Sequence, residues 1–197
     1  MELLIATQNR GKIQEVETYF RDLNLKIHTL LNMAEIPSPV EDGKTFEENA
    51  VKKALHYSKF SGAMVLADDS GLMVDHLNGR PGILSSRYAG PSASDNERCL
   101  KILKEMEGVP WEDRTARFEC VIALAHSGEL ISTFIGECRG YIAFEMTGKR
   151  GFGYDPIFYF PPLQKTFAEL EREEKEIVSH RGAALLLTKG FLENRYL

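Results

Sequence analysis

The chain has 197 residues, 43% of them hydrophobic and 27% charged, which suits a globular protein able to bury a core in one large domain or two fused lobes. A net charge of −5 excludes general coating of nucleic acid, which needs a basic surface. Three cysteines, Cys99, Cys120 and Cys138, without CxxC spacing or clustered histidines, argue against a zinc site and for a reducing compartment. The opening MELLIATQNRGK carries its charge in the wrong places for a signal peptide, and no apolar run approaches membrane-spanning length. The expectation is a cytoplasmic protein without a membrane partner.

In chain order, residues 3–6 read as a strand and residues 7–12 as a polar loop; Ile13, Val16, Tyr19 and Phe20 then fall at helical spacing to about residue 22. Residues 25–30 read as a second strand and residues 36–44, IPSPVEDGK, as an acidic loop broken by proline and glycine. Thr45 followed by Glu48 is a capping-box pattern for a helix to about Phe60. The apolar run 64–67 predicts a buried strand ending in Asp68 and Asp69, with Ser70-Gly71 as a turn signal. Ser94 caps a helix to about Met106. The runs 114–126 and 129–144 flank Ser127-Gly128 and predict an antiparallel hairpin. A loop, TGKRGFGYDPIF, and an acidic stretch, ELEREEKE, precede a final helix starting near Ser179. The fold class is α/β with a mixed sheet and flanking helices, and residues 1–197 form one domain.

Several stretches carry candidate chemistry. Gly43-Lys44-Thr45 is not a P-loop, because Ser38 stands where that motif needs its first glycine and Glu41 and Asp42 would face the phosphates. Gly148, Gly151 and Gly153 do not make a dinucleotide fingerprint. TQNRGK is a better phosphate candidate: Thr7 and Asn9 supply hydrogen-bonding groups, Gly11 permits close backbone approach and Lys12 adds charge at a helix start. It reads equally as an ordinary helix cap. Asp68 and Asp69, with Glu41 and Glu48, offer hard oxygen donors suited to Mg²⁺; the bland alternative is a solvated turn. Phe152 or Tyr154 of GFGYDP offers a ring for stacking beside Asp155, and the same residues suit a rigid turn. Ser179 as cap puts His180 and Arg181 in a first helical turn, where cations favour a neighbouring anion or acceptor. Lys175 is either an i,i+4 partner or a further contact. Together these are the parts of a Mg²⁺-dependent enzyme acting on a nucleoside triphosphate.

TxNxxK, TFEENAxxKA, ADDSGL, GRPGxxSxR, GFGYDP and SHRG occur in this order from Thr7 to Gly182. The set resembles the inosine triphosphate pyrophosphatase family, the dITP/XTP diphosphatases. The resemblance implies an elongated mixed β-sheet with flanking helices, two lobes around a central cleft and a homodimer. It implies Mg²⁺-dependent cleavage of a deaminated purine triphosphate to the monophosphate and pyrophosphate. Carried onto this chain, Thr7, Gln8, Asn9, Arg10, Gly11 and Lys12 hold the triphosphate with Lys53, and Ser70 joins the substrate-binding residues. Asp69 is the general base and, with Asp68 or Glu41, the metal ligand; Asp42 is the alternative to Glu41. Phe152, Gly153, Tyr154 and Asp155 form the base pocket, completed by Lys175, His180 and Arg181. The expected cation between Asp68 and Asp69 is Mg²⁺. The competing expectations are a Maf-like pyrophosphatase for modified pyrimidine nucleotides and a nucleotide-sensing module without turnover.

Overall fold

The computed structural model describes residues 1–32 and 36–197. In chain order the helices and strands are β1 (Glu2–Ile5), α1 (Arg10–Phe20), β2 (Lys26–Thr29), α2 (Phe46–Ser58), β3 (Met64–Val74), α3 (Asp95–Glu105), β4 (Thr115–His126), β5 (Glu129–Ile142), β6 (Phe158–Phe160), β7 (Lys165–Thr166), α4 (Arg172–Val178) and α5 (His180–Tyr196). The strands make one mixed sheet in the order β2-β1-β3-β4-β5-β6-β7. The chain divides into two compact units. One comprises Met1–Asp69, Cys120–Gly136 and Arg181–Leu197, the other Ser70–Glu119 and Glu137–His180. Among the described residues no helix is long and apolar enough to cross a membrane.

In the first unit β1 pairs in parallel with β2 (Leu3 opposite Ile27) and with β3 (Leu4 opposite Val65). Leu3, Leu4 and Ile5 are all buried, the continuous apolar pattern of an inner parallel strand. Helix α1 turns Ile13, Val16 and Phe20, spaced by about one turn, into a core with Leu66, Ile122, Leu124, Leu185 and Leu192. The hairpin expected at Ser127-Gly128 forms: φ is +51° and +82° there, the paired positive values of a type I′ turn. The Gly128 N–H donates to Ser58 Oγ at 3.0 Å, fastening the turn to the end of α2.

One sequence expectation is overturned. Ser70-Gly71 is not a turn: β3 continues through it to Val74, and Leu72 and Val74 are fully buried. The apolar alternation at positions 72 and 74 outweighs the local turn preference of serine and glycine. Asp68 and Asp69 therefore stand within a strand.

The second unit is built on Leu72, Val74, Ile102, Met106, Phe118, Ile142, Phe158 and Phe167. Helix α3 begins with a full capping box, in which Ser94 and Glu97 each accept the other's backbone N–H. The buried Arg114 serves the end of that helix: its guanidinium donates to the carbonyls of Met106, Val109, Ile142 and Ala143 at 2.7 to 3.3 Å.

Candidate active site

Successive side chains of a strand point to opposite faces, which separates Asp68 from Asp69 and gives each its own cations. Asp68 is buried, and its Oδ2 accepts from Lys12 Nζ at 2.8 Å and Arg181 Nε at 3.4 Å. The Arg181 guanidinium also donates to Glu15 Oε2 at 2.6 Å, so α1, β3 and α5 meet in a chain of alternating charge. Burial alone would raise the Asp68 carboxyl, but Lys12, Arg181 and Lys53 outweigh it and hold the group well below the ordinary carboxylate range. Burial opposes the charge on Arg181 too; Glu15 and Asp68 keep the guanidinium firmly protonated.

Asp69 takes its partners from α2. Lys53 Nζ lies 3.2 Å from Asp69 Oδ1, and Asn49 Nδ2 donates to Asp69 Oδ2 at 3.1 Å. Asn49 and Lys53 are four residues apart, hence on one helix face. Burial pushes the Asp69 carboxyl up; Lys53 and Lys12 pull against it, while Asp68 and Glu41 add to the rise. Lys53 is raised in turn, because Asp69, Asp68 and Glu41 overcome the burial that would lower it. Two adjacent carboxyls are thus shifted in opposite directions, Asp68 held down by Lys12 and Arg181 and Asp69 raised by burial, a contrast of environments that recurs where acid–base chemistry is carried out.

The acidic loop is laid back along α2. Lys44 N–H donates to Glu48 Oε2 at 2.6 Å and Gly43 N–H to Asn49 Oδ1 at 2.8 Å. Lys52 pairs with Asp42, and Lys53 donates to Glu41 Oε2 at 3.2 Å. Tyr57 O–H donates to Ser38 Oγ at 3.4 Å, and His56 Nε2 lies 2.7 Å from the Pro37 carbonyl. A Cβ on Gly43 would fall 2.5 Å from Asn49 Oδ1, so the close approach requires glycine. Glu41, not Asp42, shares the Lys53 cation with Asp69. Half of the expected capping box forms: Thr45 Oγ1 accepts from Glu48 N–H, while the Glu48 carboxylate goes to Lys44.

The helix start at TQNRGK is partly self-satisfied. Asn9 Oδ1 accepts from Gly11 and Lys12 N–H at 2.9 and 3.2 Å, and Thr7 Oγ1 accepts from Asn9 N–H. Gln8 and Arg10 are exposed. What this segment presents to Asp68 is the Lys12 side chain, beside the Arg181 guanidinium.

In the second unit GFGYD folds into a glycine-rich turn. Asp155 is buried; its Oδ2 accepts from Lys175 Nζ at 2.5 Å and from Phe152 N–H at 2.9 Å. Lys175 Nζ also lies 4.7 Å from the centre of the Phe152 ring. Tyr154 O–H donates to the Ser85 carbonyl at 2.7 Å, and Ser85 Oγ accepts from Leu72 N–H, which anchors the loop to β3 beyond the half-buried Ser70. The His180 ring stacks on Phe118 at 4.6 Å between centres with a 10° tilt. SHRG thus divides its pair: His180 packs within the second unit, and Arg181 binds carboxylates of the first.

Among the described residues no group of three or more His, Cys, Asp or Glu side chains is arranged around one point as a metal cage. The donors present nevertheless suit Mg²⁺, which takes one or two carboxylates and fills its remaining positions with water and phosphate oxygens. Asp69 and Glu41 already converge on one cation, the Lys53 ammonium. Sequence reasoning missed Asn49 and Glu15. Asn49 had a signal, a polar residue one turn before Lys53 on the same helix face; Glu15 reads as an ordinary surface position of α1.

A mixed sheet carrying paired acids and lysines on its strand and helix surfaces defines an α/β protein with a charged polar site. The Ham1 family model matches residues 3–190. The dITP/XTP pyrophosphatase of Desulfotalea psychrophila is 49% identical over 188 residues, covering 95% of this chain and 83% of that one. The dITP/XTP pyrophosphatase of Desulforamulus reducens is 44% identical over 197 residues, covering 100% of this chain and 98% of that one. The structure of a HAM1 protein from Coxiella burnetii superposes with a TM-score of 0.90 at 44% identity, covering 98% of this chain and 99% of that one. The chain belongs to the Ham1 family.

Proposed function

We propose that this chain is a hydrolase that cleaves deaminated purine nucleoside triphosphates, ITP, dITP and XTP, to the monophosphate and pyrophosphate. It would thereby cleanse the nucleotide pool, working as a cytoplasmic homodimer. The observation that carries the reading is the pair Asp68 and Asp69, adjacent in sequence and held by separate contacts, Asp68 by Lys12 and Arg181 and Asp69 by Lys53 and Asn49. The names of the relatives supply the substrate class. Asp69 accepts the proton of the attacking water, and the bond between the α- and β-phosphates breaks. Lys12 and Lys53 hold the phosphates, with Thr7, Gln8, Asn9, Arg10 and Gly11 contributing from the same helix start and Ser70 from the strand. Asp69 with Asp68 or Glu41 would hold Mg²⁺, which would supply charge neutralisation for the triphosphate and its leaving group. Phe152, Gly153, Tyr154, Asp155 and Lys175 receive the purine with His180 as donor to its 6-oxo edge, while Arg181, its guanidinium bonded to Asp68 and Glu15, holds the Asp68 carboxylate.

The test is pyrophosphate release from a panel of natural and deaminated triphosphates, with and without Mg²⁺. Deaminated purines should lead the panel, and Asp69→Asn should lower kcat by on the order of a hundredfold, the scale of a lost general base. No pyrophosphate from any triphosphate would leave a binding module; a preference for modified pyrimidines would leave a Maf-like enzyme.

A further inference from the structure

Both glycines of the GFGYD turn, Gly151 and Gly153, adopt positive φ, +73° and +63°. Glycine backbone of this kind is free to adopt other conformations, so a ring carried on it keeps one orientation only if its peptide planes are fixed from outside. Helix α3 does this. Asp95 Oδ2 accepts from Gly153 N–H at 2.7 Å, and the Cys99 thiol donates to the Gly153 carbonyl at 3.4 Å. Asp95 and Cys99 are four residues apart and lie on one face of α3. They clamp the two successive peptide planes on either side of the Gly153 α-carbon. The first plane is the one that Phe152 enters. Burial pushes the Cys99 thiol up to about 12, which keeps it in the protonated, donating form.

Asp95 is itself oriented. Its Oδ1 is paired with Arg98, whose guanidinium also donates to the Ser86 carbonyl at 3.0 Å. An acid in the first turn of a helix is ordinarily explained by the helix dipole. Here one carboxylate oxygen is turned by Arg98 and the other is aimed at a loop 58 residues further along the chain.

We infer that Asp95 is a positioning residue for base recognition, fixing the Phe152–Gly153 peptide and with it the ring that receives the purine. The inference rests on the proposed purine site, and the experiment separates the two. KM and kcat are measured for ITP, together with the inhibition constant of inorganic tripolyphosphate, which carries no base. Asp95→Ala should raise KM for ITP about tenfold with kcat changed less than about threefold, the scale of a lost charge-assisted hydrogen bond. The tripolyphosphate constant should stay within about twofold, and Asp95→Asn, whose amide oxygen still accepts from Gly153 N–H but whose NH2 no longer pairs with Arg98, should fall between the parent and Asp95→Ala. An unchanged KM in Asp95→Ala, a parallel loss of tripolyphosphate binding, or an Asn variant as impaired as the Ala variant overturns the inference. Should Asp95→Ala not fold, Asp95→Glu keeps the charge at the helix start but displaces the carboxylate by one methylene, and the same split between ITP and tripolyphosphate is expected. If the parent protein releases no pyrophosphate from ITP, the purine reading has failed and this inference falls with it.

Discussion

At the scale of single residues, the pairing of Lys12 with Asp68 carries the clearest consequence. Their contact at 2.8 Å is mostly shielded from solvent, with 17% and 6% of the side chains exposed. A triphosphate approaching Lys12 competes with Asp68 for the same ammonium, and Arg181 remains to keep Asp68 ionised. If Lys12 holds the outer phosphates as proposed, Lys12→Ala should weaken triphosphate binding by on the order of tenfold or more, and monophosphate product binding far less. Calorimetric titration with a non-hydrolysable triphosphate and with the monophosphate checks this; equal losses would place Lys12 elsewhere.

Among the elements, the junction between α3 and β5 depends on Arg114. Its guanidinium faces carbonyls, with the Phe144 ring 4.6 Å away, and burial lowers its pKa. Arg114→Ala leaves several carbonyls without their donor and should cost about 2–4 kcal/mol, read as a lower urea midpoint at unchanged m-value. Nothing in the sequence marks Arg114 out from the other arginines, because its partners are backbone atoms brought there by folding. Legibility followed the same line elsewhere. Ser94 as a helix cap, Thr45 as the cap of its half-formed box and the Ser127-Gly128 turn were readable because each is a local pattern with a local cause. Ser70-Gly71 was misread because a local turn preference lost to burial of Leu72 and Val74. Lys53 entered through its motif, but Asn49 and Asp95 stayed hidden: one looked like a helix-interior amide and the other like a routine first-turn acid. What made both visible was a long-range hydrogen bond.

For the molecule as a whole, the three cysteines are all buried, and burial pushes each thiol up to about 12. In the unfolded chain they ionise near about 8.5. Between those values the unfolded state loses protons that the folded state keeps, so the thiols favour folding below about pH 8.5 and progressively less as pH rises toward 12. The urea midpoint should accordingly fall as pH is raised from 8 to 10. At pH 8 the folded protein should react with a thiol reagent on the order of a hundredfold more slowly than the urea-unfolded chain. Rapid labelling of the native protein would show that one of these thiols reaches solvent.

The acidic loop along α2 has a consequence for how this protein tolerates change. Surface loops ordinarily accept added or deleted residues. Residues 37–44, however, meet α2 rung by rung, from Lys44 at Glu48 back to Pro37 at His56. The loop is measured against the helix as a ruler. One residue inserted between Ser38 and Glu41 would leave a choice: keep the rungs at Ser38 and Pro37 and slide Glu41 off Lys53, or keep Glu41 and bulge the chain outward. Length, more than composition, is what this segment has to conserve.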